Sequence, residues 1–71
     1  MVMREVGIVK WYDSSEGSGY IARKKGEDVY VNHSAVRSGQ GAGPLREGAA
    51  VEFTVLEDGE GPTAHDVVIL R

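Results

Sequence analysis

Cysteine is absent from the 71 residues. That excludes disulfides and thiolate zinc sites. Two histidines, His33 and His65, do not complete a closed tetrahedral metal site by themselves, so neither a metal nor another cofactor is expected. Long hydrophobic runs are missing as well. No apolar stretch approaches the ~20 residues of a membrane helix. The N-terminal MVMREV has no hydrophobic stretch of signal-peptide length, so the expectation is a cytoplasmic chain without a membrane partner. Positive charge is scarce: the net charge is −3, which argues against a generic phosphate binder. Aromatic residues make up only 7% of the chain. A chain this short is expected to form a single domain, residues 1–71, and a domain of that size buries only about 60% of its unfolded surface. It has no staple to reinforce so small a core.

What is present is punctuation and alternation. Ten glycines and two prolines divide the chain into short runs. Five of them read as strands: Glu5–Asp13, Ser18–Arg23, Asp28–Asn32, Ala50–Leu56 and Ala64–Leu70. Val29 and Val31 lie on one face of the third run and Tyr30 on the other. Val51, Phe53 and Val55 share a face of the fourth, opposite Glu52 and Thr54. The fifth is a nearly continuous apolar run, which predicts a more deeply buried final strand. No window has a helical period, although Ser34–Arg37 suits a single turn capped by Ser34. Several short strands separated by turn signals suggest a sandwich or barrel, and five in this length suit a small closed barrel without free edges. The expected core is Ile21, Val29, Val31, Val36, Val51, Phe53, Val55, Val67 and Ile69. Arg37–Glu47, with three glycines and a proline, is the longest connection and is expected to be mobile.

Strict alternation fails at one place. Val9 and Trp11 share a parity, so a regular strand that buries Val9 also buries Trp11. A bulge or bend near Lys10 resolves this. The outward faces then deserve comparison. If Ile21, Val29 and Val31 point inward, Tyr20 and Tyr30 point outward, with Trp11 and Tyr12 on the first strand beside them. Rings gathered on a solvent face forgo burial, and stacking against nucleobases is one explanation, worth about 1–3 kcal/mol per base. Ordinary core or rim packing is the other, and the residues by themselves leave both open.

Taken in order, Lys10-Trp11-Tyr12-Asp13, Gly17-Ser18-Gly19-Tyr20-Ile21, Asp28-Val29-Tyr30-Val31 and Ser34-Ala35-Val36 resemble the cold-shock domain family. Leu45-x-Glu47-Gly48, Val51-x-Phe53 and Gly61-Pro62-x-Ala64 followed by Val67 continue the resemblance over nearly the whole chain, with the long loop one residue longer. The resemblance implies an all-β, five-stranded antiparallel OB-fold barrel. It implies a monomer that binds single-stranded RNA or DNA with low sequence specificity, in the manner of an RNA chaperone. Two strand motifs would carry the binding, around Glu16–Ile21 and Val29–His33. Trp11, Tyr20, Tyr30, His33 and Tyr12 would stack bases. Lys10 and Arg23, Lys24 or Lys25 would neutralise phosphates, and Asp28 and Asn32 would contact base edges.

The departures from the family pattern fall on that same face. The family has Lys where this chain has Glu16, Phe where it has Ser18, and a His-Phe pair where it has Asn32-His33. Gly41, Ala42 and Gly43 stand where the family's long loop carries a Phe and a basic residue, and Glu60 stands at a basic or polar position. The expectation is a binder weaker than its relatives. Charge is also uneven: residues 1–46 carry a net +2 and residues 47–71 a net −5. The rival expectation is therefore a degenerate barrel that docks a protein partner through its acidic late half. Other signals carry less. Gly17-Ser18-Gly19 lacks the third glycine and the helix of a dinucleotide site. Asn32-His33-Ser34 matches a glycosylation acceptor, which is read as a chance match because no leader is expected. Ser34 beside His33 lacks a third orienting group. No catalytic residues are expected, and no enzyme activity.

Overall fold

Alternation of β-branched and aromatic residues with polar ones builds five strands, described over residues 4–37 and 45–70 of a computed structural model. They are β1 (Arg4–Asp13), β2 (Ser18–Arg23), β3 (Val29–Asn32), β4 (Ala50–Asp58) and β5 (Gly61–Ile69). A 3-10 turn, His33–Ala35, follows β3. The sheet closes into a barrel in the order β1-β2-β3-β5-β4. Four of the five seams are antiparallel, and the closing seam between β3 and β5 is a parallel contact at Tyr30 and Thr63. Closure leaves no long free edge, which is how a sheet this small avoids edge-to-edge association. Residues 38–44, which include Gly41, Ala42, Gly43 and most of the long connection, lie outside the described residues.

The core consists of Val9, Ile21, Val29, Val31, Leu45, Val51, Phe53, Ala64 and Val67. Val36, Val55 and Ile69, expected inside, are only partly buried against it, as is Tyr12. Leu45 and Ala64 join the core without having been expected there: Leu45 lies outside every strand run, and Ala64 is the first residue of the fifth run, whose nearly continuous apolar character marks no single face. Leu45, near the end of the long connection, is buried in the core cluster. All the buried side-chain polar atoms of the described residues have hydrogen-bond partners.

Two irregularities decide which side chains face out. Between β1 and β2 the pairing runs Val9–Ile21 and then Trp11–Tyr20, so Lys10 is the extra residue of a bulge. The bulge reverses parity, leaving Val9 1% exposed and Trp11 43% exposed, as the sequence required. The second lies between Glu52–Val68 and Thr54–His65, where Asp66 and Val67 together oppose Phe53. Asp66 there takes a φ of 57°, a left-handed conformation that Asp tolerates better than most residues. This bulge corrects the expectation of a deeply buried last strand. His65 and Asp66 are both exposed, and only Pro62, Ala64 and Val67 are fully buried on β5. The cap of the turn is also corrected. Asn32, not Ser34, caps it, because Asn32 Oδ1 accepts the Ser34 backbone N–H at 3.0 Å, the ordinary Asx geometry.

Candidate functional site

The Lys10 bulge, the β1–β2 pairing and the β2–β3 pairing together place three rings side by side. Trp11 pairs with Tyr20, and Tyr20 with Tyr30. The Trp11 and Tyr20 centroids are 5.6 Å apart at 48°, and those of Tyr20 and Tyr30 are 5.8 Å apart, edge to face. Trp11 and Tyr20 are exposed and Tyr30 half-buried. None of the three rings is buried. Beneath them, Gly19 lets the strands approach closely: a Cβ on it would lie 2.2 Å from the Trp11 carbonyl oxygen. A second row lies beside the first, where Asp13 pairs with Ser18 and Ser18 with Asn32. Ser18 leaves that row without a ring.

Tyr12 and His33 are not in the ring row. Tyr12 has the parity opposite to Trp11 and packs partly against the core. His33 lies over Gly17, whose φ is +72° and where a Cβ would meet the His33 ring carbon Cδ2 at 2.5 Å. The His33 backbone N–H donates to the Gly17 carbonyl at 2.7 Å. Tyr12 and His33 line a separate hollow with Ser14, Ser15, Glu16 and Gly17. The turn below it is built on Asp13. Its Oδ1 accepts from Ser15 Oγ at 2.7 Å, from the Ser15 N–H at 2.9 Å and from the Glu16 N–H at 3.3 Å. These bonds, the Ser15 hydroxyl foremost and then the two backbone donors, hold the Asp13 carboxyl below its ordinary value.

Two of the four cations expected to meet phosphates are engaged. Lys10 Nζ stands 2.9 Å from Asp28 Oδ2, so the expected phosphate contact and the expected base-edge contact neutralise one another. Arg23 is further committed. Its Nε donates to the Glu27 carbonyl at 2.8 Å, and one terminal nitrogen lies 3.4 Å from Glu5 Oε2. Lys24 and Lys25 are exposed and make no ion pair among the described residues. Asn32 Oδ1 is fixed by the cap and Nδ2 donates to the Tyr30 hydroxyl at 3.4 Å, which leaves the second N–H of Nδ2 available.

Part of the acidic late half is internally balanced. Asp66 accepts two bonds from the Arg37 guanidinium, one of them 2.7 Å long, and lies 3.5 Å from Arg4. Arg4 also approaches Glu52 at 3.6 Å. The Arg37 bonds, rather than burial, set the direction for Asp66, whose carboxyl is held below its ordinary value. Sequence reasoning missed Thr63 and His65 beside the rings. The parallel seam brings Thr63 alongside Tyr30, and a hollow there is lined by Tyr30, Asn32, Ser34, Thr63 and His65 among others. Strand alternation within one run carries no signal for a neighbour 33 positions away. Among the described residues no group of three or more His, Asp or Glu could hold a metal ion, and no helix is long and apolar enough to cross a membrane.

Comparison with known proteins bears on the family and the fold. The family model described as the 'Cold-shock' DNA-binding domain matches residues 5–70. The cold shock-like protein CspLB of Listeria monocytogenes is 42% identical over 66 residues, covering 93% of this chain and 98% of that protein. The cold shock protein CspA of Staphylococcus aureus is 44% identical over 64 residues, covering 90% and 96%. A cold shock-like protein of Thermotoga maritima is 42% identical over 65 residues, covering 92% and 97%. Among solved structures, drosophila Unr CSD456 superposes with a TM-score of 0.79 at 20% identity, covering 97% of this chain and 27% of that one. At that identity the likeness is one of fold. This chain spans about a quarter of that structure's length.

Proposed function

The chain belongs to the cold-shock family of nucleic-acid-binding domains, and on that premise we propose that it holds single-stranded RNA or DNA across the outer face of β1, β2 and β3. The observation that carries the reading is the row Trp11–Tyr20–Tyr30, with centroids 5.6 and 5.8 Å apart along three adjacent strands. Every base has a π-face, so a row of open rings binds a single strand with little regard to sequence. Lys24 and Lys25 supply the uncommitted charge at the rim, and Asn32 Nδ2 a donor for a base edge. Lys10 and Arg23 contribute to phosphates only by exchanging Asp28, Glu5 and Glu27 for them. An unstructured RNA held in this way is kept from pairing with itself, which is the chaperone activity implied.

The same geometry supports a further part of the proposal, binding weaker than that of family members. The second row has Ser18 where a ring would stack, Glu16 adds a negative charge to the hollow beside it, and the Lys10 charge is already balanced. Docking of a basic protein on the late acidic half is less favoured, because Glu52 and Asp66 are occupied by Arg4 and Arg37.

Trp11 is the only tryptophan and stands at one end of the row, so its fluorescence reports the ligand directly. Titration with a short pyrimidine oligonucleotide at low salt should quench it saturably. Tyr30→Ala should weaken the binding roughly 5- to 150-fold, the equivalent of one lost stack. No quenching at high micromolar oligonucleotide overturns the proposal.

A further inference from the structure

The ring row does not end at Tyr30. Tyr30 is paired across the barrel's closing seam with Thr63, and on β5 the buried Pro62 and Ala64 alternate with Thr63 and His65. Thr63 and His65 therefore face the same way as Tyr30. The hollow between β3, the 3-10 turn and β5 lies between these groups, with Tyr30 and Asn32 on one side and Thr63 and His65 on the other.

His65 is exposed, yet its ring is held. Thr63 Oγ1 donates to the Leu56 carbonyl at 3.1 Å. Thr63 Oγ1 also stands 3.0 Å from His65 Nε2; with its one hydrogen on the Leu56 carbonyl, the imidazole is the donor of that bond. An imidazole on an open strand face ordinarily turns freely. Here a relay from the Leu56 carbonyl through Thr63 sets its position beside the hollow. The opposite rim is fixed too, because the cap to Ser34 orients Asn32 with Nδ2 toward the Tyr30 hydroxyl. A preset flat ring on one side and a preset donor on the other suit one flat, edge-polar group between them. Histidine is among the side chains on which unpaired bases stack.

We propose that this hollow is a further nucleotide subsite, in which one base of a bound single strand stacks on the His65 imidazole, and that Thr63 is the positioning residue that holds that ring. The inference rests on the nucleic-acid reading above. It extends the path of the strand from β1, β2 and β3 on to β5.

The test is a length series. Pyrimidine oligonucleotides from about 4 nucleotides upward are titrated against the intact chain and followed by Trp11 fluorescence. His65→Ala should leave affinity for the shortest unchanged, since the three rings suffice to cover it, and should lose roughly 5- to 150-fold for longer ones. Affinity in that variant should stop rising one nucleotide earlier than in the parent chain. His65→Phe should retain the gain with length. Thr63→Val should lose part of it and Thr63→Ser recover it, which a role confined to packing would not produce. Both positions changed, Thr63 and His65, lie on the outer face of β5, and unfolding curves of the four variants matched to the parent confirm that the barrel is intact. The same length dependence in His65→Ala as in the parent overturns this subsite alone. Absence of quenching in the parent chain overturns the nucleic-acid reading with it.

Discussion

Lys10 stands beside the ring row with its ammonium 2.9 Å from Asp28 Oδ2, and Glu16 lines the neighbouring hollow with Tyr12 and His33. On the proposed reading, single side chains of this kind set the strength of the interface without touching the fold. Ser18 belongs to the row Asp13–Ser18–Asn32, so a ring there extends the platform toward Asn32. Ser18→Phe combined with Glu16→Lys should therefore tighten oligonucleotide binding at least about fivefold, the lower end of one added stack. The added lysine should make the salt dependence steeper, by about −0.7 in slope per phosphate contacted. Titrations at two or more salt concentrations measure both, and an unchanged affinity would show that this row does not face the ligand. These residue identities were legible in the sequence. The ion pair was not, because Lys10 on β1 and Asp28 just before β3 lie 18 positions apart and meet only in the folded barrel.

At the scale of elements, two bulges do what alternation cannot. The bulge at Lys10 brings Trp11 to the outer face, and the bulge at Asp66 keeps both His65 and Asp66 out of the core. The β1–β2 seam depends in addition on Gly19, because a methyl group there would fall 2.2 Å from the Trp11 carbonyl oxygen and 2.8 Å from Tyr12 Cα. Both obstacles are backbone and have nowhere to move. Gly19→Ala should cost at least the roughly 1–3 kcal/mol of an overpacked site and should also part Trp11 from Tyr20. Denaturant unfolding reads the first effect and loss of oligonucleotide quenching the second. A variant of parental stability would mean that the strands separate easily, contrary to the contact described. The strand positions were legible from hydrophobic alternation, with ends shifted by a few residues. The first bulge was legible from the conflict between Val9 and Trp11. The second was not, since an apolar run gives no parity to violate.

For the molecule as a whole, acid sensitivity concentrates where distant parts of the chain meet. Arg4 on β1, Glu52 on β4, Arg37 after the turn and Asp66 on β5 form one surface cluster. The Asp66 carboxyl is held below its ordinary value in the folded barrel, first by the Arg37 hydrogen bonds. Its contribution to stability is therefore present above the ordinary carboxylate value of about 3.9 and is lost as pH falls through the lower folded value. Asp13 behaves in the same direction through Ser15 and Glu16. Asp66→Asn keeps a residue tolerant of φ 57° while removing the charge. That variant should be less stable than the parent at neutral pH and should lose less on acidification, with Asp13 supplying the remaining slope. Unfolding midpoints measured from pH 7 to about pH 3 decide it, and an identical acid limb in both chains would remove Asp66 from the account.

The sequence by itself determined the strand content, most of the core, the closed barrel and the aromatic positions on β1, β2 and β3. These follow from local periodicity, which has a fixed relation to which face a side chain takes. The tertiary structure alone decided which rings form one row, which cations are already paired, and that Thr63 and His65 stand beside Tyr30. Those are relations between strands distant in sequence. They depend on register and on the one parallel seam that closes the barrel, and neither leaves a periodic trace in any single run of residues.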